Sequence, residues 1–206
     1  MKYVECLLEE TDYLQMVEKL EKRERNRIFC RHGLSHLLDV ARIGWILALE
    51  RGQAGREKPG EALKEKIYLT ALLHDLGRLA EAEEGTPHHR AGAALAGELL
   101  DEIQYPKEEQ QDILAAISEH RGEGNSLTSD KECRGEGNSL TSDKECRGEQ
   151  QDIFGSGTKS VKGEKLNRDF IHLIKEADNR SRNCFFCSSQ ALCNWSKERR
   201  NQGIFW

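Results

Sequence analysis

Three prolines in 206 residues leave little to interrupt a helix. Apolar and polar residues nowhere alternate with period two over the length of a strand, so a half-buried sheet has no pattern to form from. No apolar run approaches the roughly 18 residues needed to cross a bilayer. Met1-Lys2-Tyr3-Val4-Glu5 meets acids at once, unlike a secretory signal. Positive charge is not in excess either: 31 Lys and Arg stand against 36 Asp and Glu, a net charge of −5. That balance argues against an extended nucleic-acid surface, and a small anionic substrate would need a local basic pocket. The seven cysteines are odd in number and unevenly placed. They do not make a disulfide framework, and a reducing, cytoplasmic setting with no membrane partner is expected.

What the chain does have is helical periodicity. Charged residues make up 33% and mean hydropathy is −0.73, so the apolar residues are concentrated in stripes. Thr11 is placed to cap a first helix to about Arg25, with Leu14, Val17 and Leu20 on one face. A second, apolar over most of its circumference, runs from Gly33 or Ser35 to about Arg51, with His36 one turn after His32. A third spans about Glu61 to Leu76 and is stopped by Gly77. Thr86-Pro87 opens a fourth, with Thr86 as cap and Pro87 in the first turn. Tyr105-Pro106 starts a fifth that ends in His120, and a sixth covers about 164 to 183. The expected fold is all-α, a single domain over 1–206.

Residues 121–133 read RGEGNSLTSDKEC, and 134–146 repeat them letter for letter. Such Gly-, Ser- and Asp-rich units hold too few apolar residues to bury a core. The stretch 121–163 is therefore expected to be a flexible insertion after the fifth helix, or a lid, since it follows His120 directly.

The centre of the sequence is Ala71-Leu72-Leu73-His74-Asp75-Leu76-Gly77-Arg78, a greasy helix that ends in an imidazole beside a carboxylate. Further candidate ligands lie beside apolar stripes, mostly at helix ends: His36, His88 or His89, His120 and Asp178. Burying so many such groups together without a cation is unfavourable, because unpaired polar groups lose their hydration. Six ligands suit two ions better than one, and imidazole with carboxylate favours Fe, Mn, Zn or Co.

The pattern H…HD…D resembles the HD-domain superfamily of metal-dependent phosphohydrolases. It is carried by His36 in HLLDVAR, His74-Asp75 in ALLHDLGR and Asp178 in KEADNRSR. Two more histidines between the HD pair and the last Asp are a mark of the binuclear branch. Here these are His120 and His88, the latter four residues before Gly92-Ala93, with His89 as the competing choice. The chain looks similar to the branch that splits dinucleoside polyphosphates symmetrically. The resemblance implies an HD-domain helical bundle in which Asp75 bridges two ions, with His36, His74 and Asp178 at one end and His88 and His120 at the other. It also implies hydrolysis of a phosphoester or phosphoanhydride bond in a nucleotide-like substrate by a metal-bound hydroxide. Members that cleave deoxynucleoside monophosphates resemble HD-x2-E; here Arg78 stands at the Glu position. That points to a cation facing phosphate, with Arg121 and Arg182 as further substrate-binding candidates.

Two other readings share the ligand set: an HD-type diiron oxygenase, and a non-catalytic module that binds a ligand through its metal. Separately, Cys184-x2-Cys187-x5-Cys193 offers three thiols in a C-terminal segment, 184–206, expected to pack on the domain. Cys30 lies six residues before His36, and Cys184 six after Asp178. If the two helices run antiparallel, both cysteines fall toward the same end, which predicts a four-thiolate structural zinc site.

Overall fold

A computed structural model describes residues 1–55, 59–120 and 161–204. The repeated stretch, Arg121 with it, lies outside the described residues. Among those described the chain is all-helical: α1 (Lys2–Glu10), α2 (Tyr13–Arg23), α3 (Leu34–Gly55), α4 (Glu61–Leu73), α5 (Arg78–Glu84), α6 (His88–Glu102), α7 (Lys107–Glu119) and α8 (Val161–Arg180). Three 3-10 turns follow, at Cys184–Phe186, Gln190–Leu192 and Lys197–Arg199.

The element enclosed on all sides is α4. Ile67, Leu69, Thr70, Ala71, Leu72 and Leu73 are all buried, which no amphipathic helix could accomplish. Leu69, Leu72 and Leu73 face a core shared with α1, α2, α6 and α7, where Val4, Leu7, Tyr13, Val17, Leu100, Ile113 and Ile117 pack. Ile67 and Ala71 face the other way, toward Val40, Ala41, Leu47, Ile171, Ile174 and Ala177 of α3 and α8. Gly44 permits this second contact, since a Cβ there would lie 2.9 Å from the Ile67 side chain. One helix thus serves two cores, and its C-terminal end is held where they meet.

Several expectations shift in detail. The stripe on α2 is Tyr13, Val17 and Leu20, whereas Leu14 is 47% exposed. Asp12, not Thr11, is the cap residue of α2, and the Thr11 hydroxyl instead accepts from the Tyr13 N–H and donates to the Leu7 carbonyl. The helix α1 escaped the sequence reading; it docks through its Tyr3 N–H on Glu65 of α4, 2.6 Å away, a carboxylate at a helix N-terminus. Pro87, not Thr86, is the cap residue of α6, so the helix begins one residue later than expected. Since α8 starts at Val161, helix replaces insertion over Val161–Gly163.

The end of α4 is where sequence and structure differ most. Residues 74–77 form a tight turn, and α5 follows at once. The Leu72 carbonyl takes the hydroxyl of buried Tyr13 at 3.1 Å instead of an in-helix N–H. Gly77 is glycine because α6 passes against it, not because its backbone is left-handed: its φ is −61°. A Cβ there would stand 1.9 Å from the His88 carbonyl oxygen and 2.3 Å from the Gly92 nitrogen. That close approach brings His88 to His74 and Asp75.

Candidate metal centre

His74 and Asp75 leave the end of α4, His36 the first turn of α3, His88 the first turn of α6, His120 the end of α7, and Asp178 the last turn of α8. Five separate helices therefore deliver their ends to one place, with Asp75 in the middle and only 2% exposed. Its Oδ2 lies 3.1 Å from His74 Nε2 and 3.4 Å from His36 Nε2. Its Oδ1 accepts from Arg78 Nε at 2.8 Å and lies 3.9 Å from His120 Nε2. Asp178 joins at His36, with Oδ1 3.5 Å from Nε2.

The imidazoles form a procession. Ring centres are 5.4 Å apart from His32 to His36, 5.5 Å from His36 to His74, 5.3 Å from His74 to His120, and 5.5 Å from His120 to His88. Each ring turns Nδ1 outward onto a partner. His74 Nδ1 donates to the Ala71 carbonyl at 2.7 Å, and His120 Nδ1 to the Ile117 carbonyl at 2.6 Å. His36 Nδ1 meets the Ser181 hydroxyl at 3.2 Å, and that hydroxyl donates to the Asp178 carbonyl, so it accepts from the ring. His88 Nδ1 is 3.1 Å from Glu81, and His32 Nδ1 is 3.0 Å from Glu24. Carbonyls and carboxylates only accept, so in the neutral rings these contacts place the proton on Nδ1 and turn the Nε2 lone pair inward.

This inward lone-pair set is the observation that fits a cation. The Nε2 atoms of His36, His74 and His120 are buried and have no hydrogen-bond partner. The Nε2 atoms of His74 and His36 stand 3.1 and 3.4 Å from Asp75 Oδ2, so buried imidazole nitrogens converge on one carboxylate, an arrangement a cation would satisfy. Two groups have their ligand atoms all within 4.8 Å of one another: His36, His74 and Asp75, and then Asp75, His88 and His120. Asp75 belongs to both. His88 is buried in this second group, whereas His89 is half-buried and outside it.

Charge follows the same logic. Burial, the largest influence, pushes His120 down to about 3 and His32 to about 4, so both are neutral near pH 7. His74 goes the other way: burial opposes its charge, but Asp75, Asp178 and the Ala71 carbonyl outweigh it and raise the value. Burial also disfavours the Asp75 carboxylate, yet Arg78, His74 and His32 hold it well below the usual range. At Asp178, Arg182 and His74 likewise prevail over burial.

The arginines are tied to these carboxylates. Arg78 is buried on Asp75, with its charge further favoured by Glu24 and Glu81. Arg182 donates to Asp178 Oδ2 at 2.8 Å and to Asn179 at 2.7 Å, its guanidinium 4.1 Å from the Trp195 ring centre.

Sequence reasoning passed over His32, whose Nε2 is 4.0 Å from Asp75 Oδ2. Its spacing of four from His36 was the available signal. Glu24, which receives both the His32 N–H and its ring, gave none, being eight residues away across a loop. The thiols of Cys30, Cys184, Cys187 and Cys193 do not form a further compact group at ligand spacing.

The HD domain family model matches residues 33–182. The chain belongs to the HD domain family. Members of this family bind divalent metals and are commonly metal-dependent phosphohydrolases. A Clostridium beijerinckii protein, described as an uncharacterized protein, is 30% identical over 201 residues, 98% of this chain and 97% of the relative. No solved structure matches this HD protein. Among the described residues, no helix is long and apolar enough to cross a membrane.

Proposed function

We propose that this HD protein hydrolyses a phosphoester or phosphoanhydride bond in a small nucleotide-like molecule, using two divalent transition-metal ions. The observation that carries the reading is the position of Asp75 in two ligand groups at once. One ion would be held by His36, His74, Asp75 and Asp178, the other by Asp75, His88 and His120. Nitrogen and oxygen donors in this ratio suit Fe, Mn, Zn or Co. When bound, such ions supply Lewis acidity toward phosphoryl oxygens and make water acidic enough to ionise near neutral pH.

The residues of this chain do the rest. Arg78 fixes Asp75 through Nε, and its remaining nitrogens carry charge toward phosphoryl oxygens. Arg182 anchors the outer oxygen of Asp178 and offers a second cation at the same end. Arg121 directly follows His120 in sequence and is the third candidate. A net charge of −5 makes such local cations necessary for an anionic substrate. Resemblance to the symmetrical dinucleoside-polyphosphate hydrolases makes those compounds the first to try.

The test is a screen of nucleotides and dinucleoside polyphosphates with Mn, Fe or Co added to metal-stripped protein, run with and without oxygen. Metal-dependent phosphate or nucleotide release, indifferent to oxygen and abolished by Asp75→Ala, is expected. Turnover that needs oxygen would favour the oxygenase reading. Tight binding of a phosphorylated compound without turnover would favour a non-catalytic module. Either result overturns the hydrolase.

A further inference from the structure

The C-terminal segment after α8 is turned inside out. Phe185, Phe186, Leu192 and Ile204 are exposed, Phe186 at 86% and Leu192 at 68%. Cys184 is buried, and Cys187 and Cys193 are half-buried. A segment that hides its thiols and shows its large apolar side chains to water is not held by a hydrophobic core. Its order comes from the backbone around those cysteines. The first 3-10 turn closes through the Cys187 N–H on the Cys184 carbonyl at 3.2 Å, the second through the Cys193 N–H on the Gln190 carbonyl at 3.3 Å. Cys187 and Cys193 leave these turns with nearly the same backbone, φ −77° and ψ 122° against φ −79° and ψ 121°. The two turns therefore present their closing cysteines alike.

The segment is also tied to the loop that carries Cys30. The Ser189 hydroxyl donates to the Ile28 carbonyl at 2.7 Å, two residues before that cysteine. Cys30 is exposed on that loop, and its thiol is raised first by the partial desolvation of its sulfur and then by Cys184 and Cys187 as neighbours, while Arg182 favours its thiolate. All four are free thiols. Three of the chain's seven cysteines thus lie on one short segment, buried or half-buried, and the loop of a fourth, Cys30, is bonded to that segment.

We propose that Cys30, Cys184, Cys187 and Cys193 bind one zinc-class divalent ion as four thiolates, clamping the C-terminal segment onto the loop before α3. Cys184 and Cys187 have the C-x2-C spacing common in structural sites of this kind. Binding releases the thiol protons and leaves a site of charge −2, which Arg182 and Arg200 flank; Arg200 donates to the carbonyls of Trp195, Gln190 and Cys193. The thiols close on the ion as it binds, since no three of them now lie as near one another as the ligand atoms of the His/Asp groups. The clamp reaches the other centre through Trp195, which stacks on Arg182, which holds Asp178.

Elemental analysis of the full chain in which His74→Ala and Asp75→Ala disable the His/Asp centre tests this independently of any hydrolase activity. One equivalent of zinc is expected to remain, and cobalt in its place should give thiolate-to-metal charge-transfer absorption. Loss of all metal in that variant would overturn the proposal. Because Cys187→Ser could unfold the segment, the wild-type chain supplies a second readout: alkylation followed by peptide mass spectrometry, with and without a strong chelator. Cys30, Cys184, Cys187 and Cys193 should be protected together until chelator is added, and Cys6 should react equally in both. Equal reactivity of the four thiols with and without chelator would refute it.

Discussion

Gly77 and Gly92 meet backbone to backbone, and this contact sets the distance between His88 on α6 and the His74-Asp75 turn. A Cβ on Gly77 would lie 2.3 Å from the Gly92 nitrogen, whereas one on Gly92 would find its nearest neighbours at 3.4 Å. The contact is asymmetric because the turn after Asp75 presses into the first turns of α6, which cannot retreat without moving His88.

Gly77→Ala should therefore destabilise the protein by about 3 kcal/mol, since backbone atoms cannot rotate aside as a side chain would. Gly92→Ala should change stability by about 1 kcal/mol or less, because ordinary packing contacts are met and helix propensity improves. Denaturant midpoints of the two variants measure the difference. Equal losses would mean that the close approach does not control the packing.

Metal removal should lower the melting temperature. Ions that bind only the folded chain stabilise it by about 2.7 kcal/mol at a hundredfold excess over the dissociation constant. Melting curves with chelator, then with Mn or Co restored, check this. His120→Ala should retain roughly half the metal bound by the His/Asp centre, whereas Asp75→Ala should lose nearly all of it, because only Asp75 serves both groups.

The metal-free protein should lose stability as pH falls from about 6.5 toward 3. His32 sits at about 4 and His120 at about 3, both below the unfolded value near 6.5. In that interval the unfolded chain binds protons that the folded chain refuses, so acid favours unfolding. For His32 alone the effect approaches about 3 kcal/mol. Glu81, lowered to about 2 by its hydrogen bond to His88, adds a loss that begins below about 4.5. His74, raised by its carboxylate neighbours, has the opposite sign: its contribution is full below about 6.5 and is lost as pH rises through its folded value. Urea titrations at several pH values, with chelator present, would show the slope. A flat profile between pH 6.5 and 4 would contradict the burial of these rings.

Arg182→Lys keeps a positive charge but loses the paired hold on Asp178 and Asn179. A fall of about tenfold in metal affinity or in kcat/KM is expected, as for other outer partners of metal ligands. Isothermal titration with Mn or Co measures it, and Arg180→Lys, whose guanidinium pairs with Glu176, serves as the control. If both variants bind metal like the wild type, Asp178 does not depend on Arg182.

The helices were legible because their apolar periods are long, and the candidate site because imidazole and carboxylate are out of place at the ends of such stripes. His36, His74, Asp75, His88, His120 and Asp178 stand out for that reason. Helix α1 was less visible, being short and held by a distant carboxylate, Glu65, instead of by its own cap. Likewise, Glu24 and Ser181 carry no local pattern, because their roles exist only once other helices have arrived beside them.

The amino-acid order by itself determined that the chain is helical, that His74-Asp75 ends a buried helix, and that further imidazoles and carboxylates recur near the ends of others. Periodicity and residue chemistry are local properties, and they survive without a fold. Tertiary structure alone decided that His88 and not His89 turns inward, that His32 joins the procession, and that Asp75 faces two histidine groups at once. Those outcomes depend on how closely helices approach, which is fixed by contacts such as Gly77 on Gly92 between residues that the sequence keeps apart.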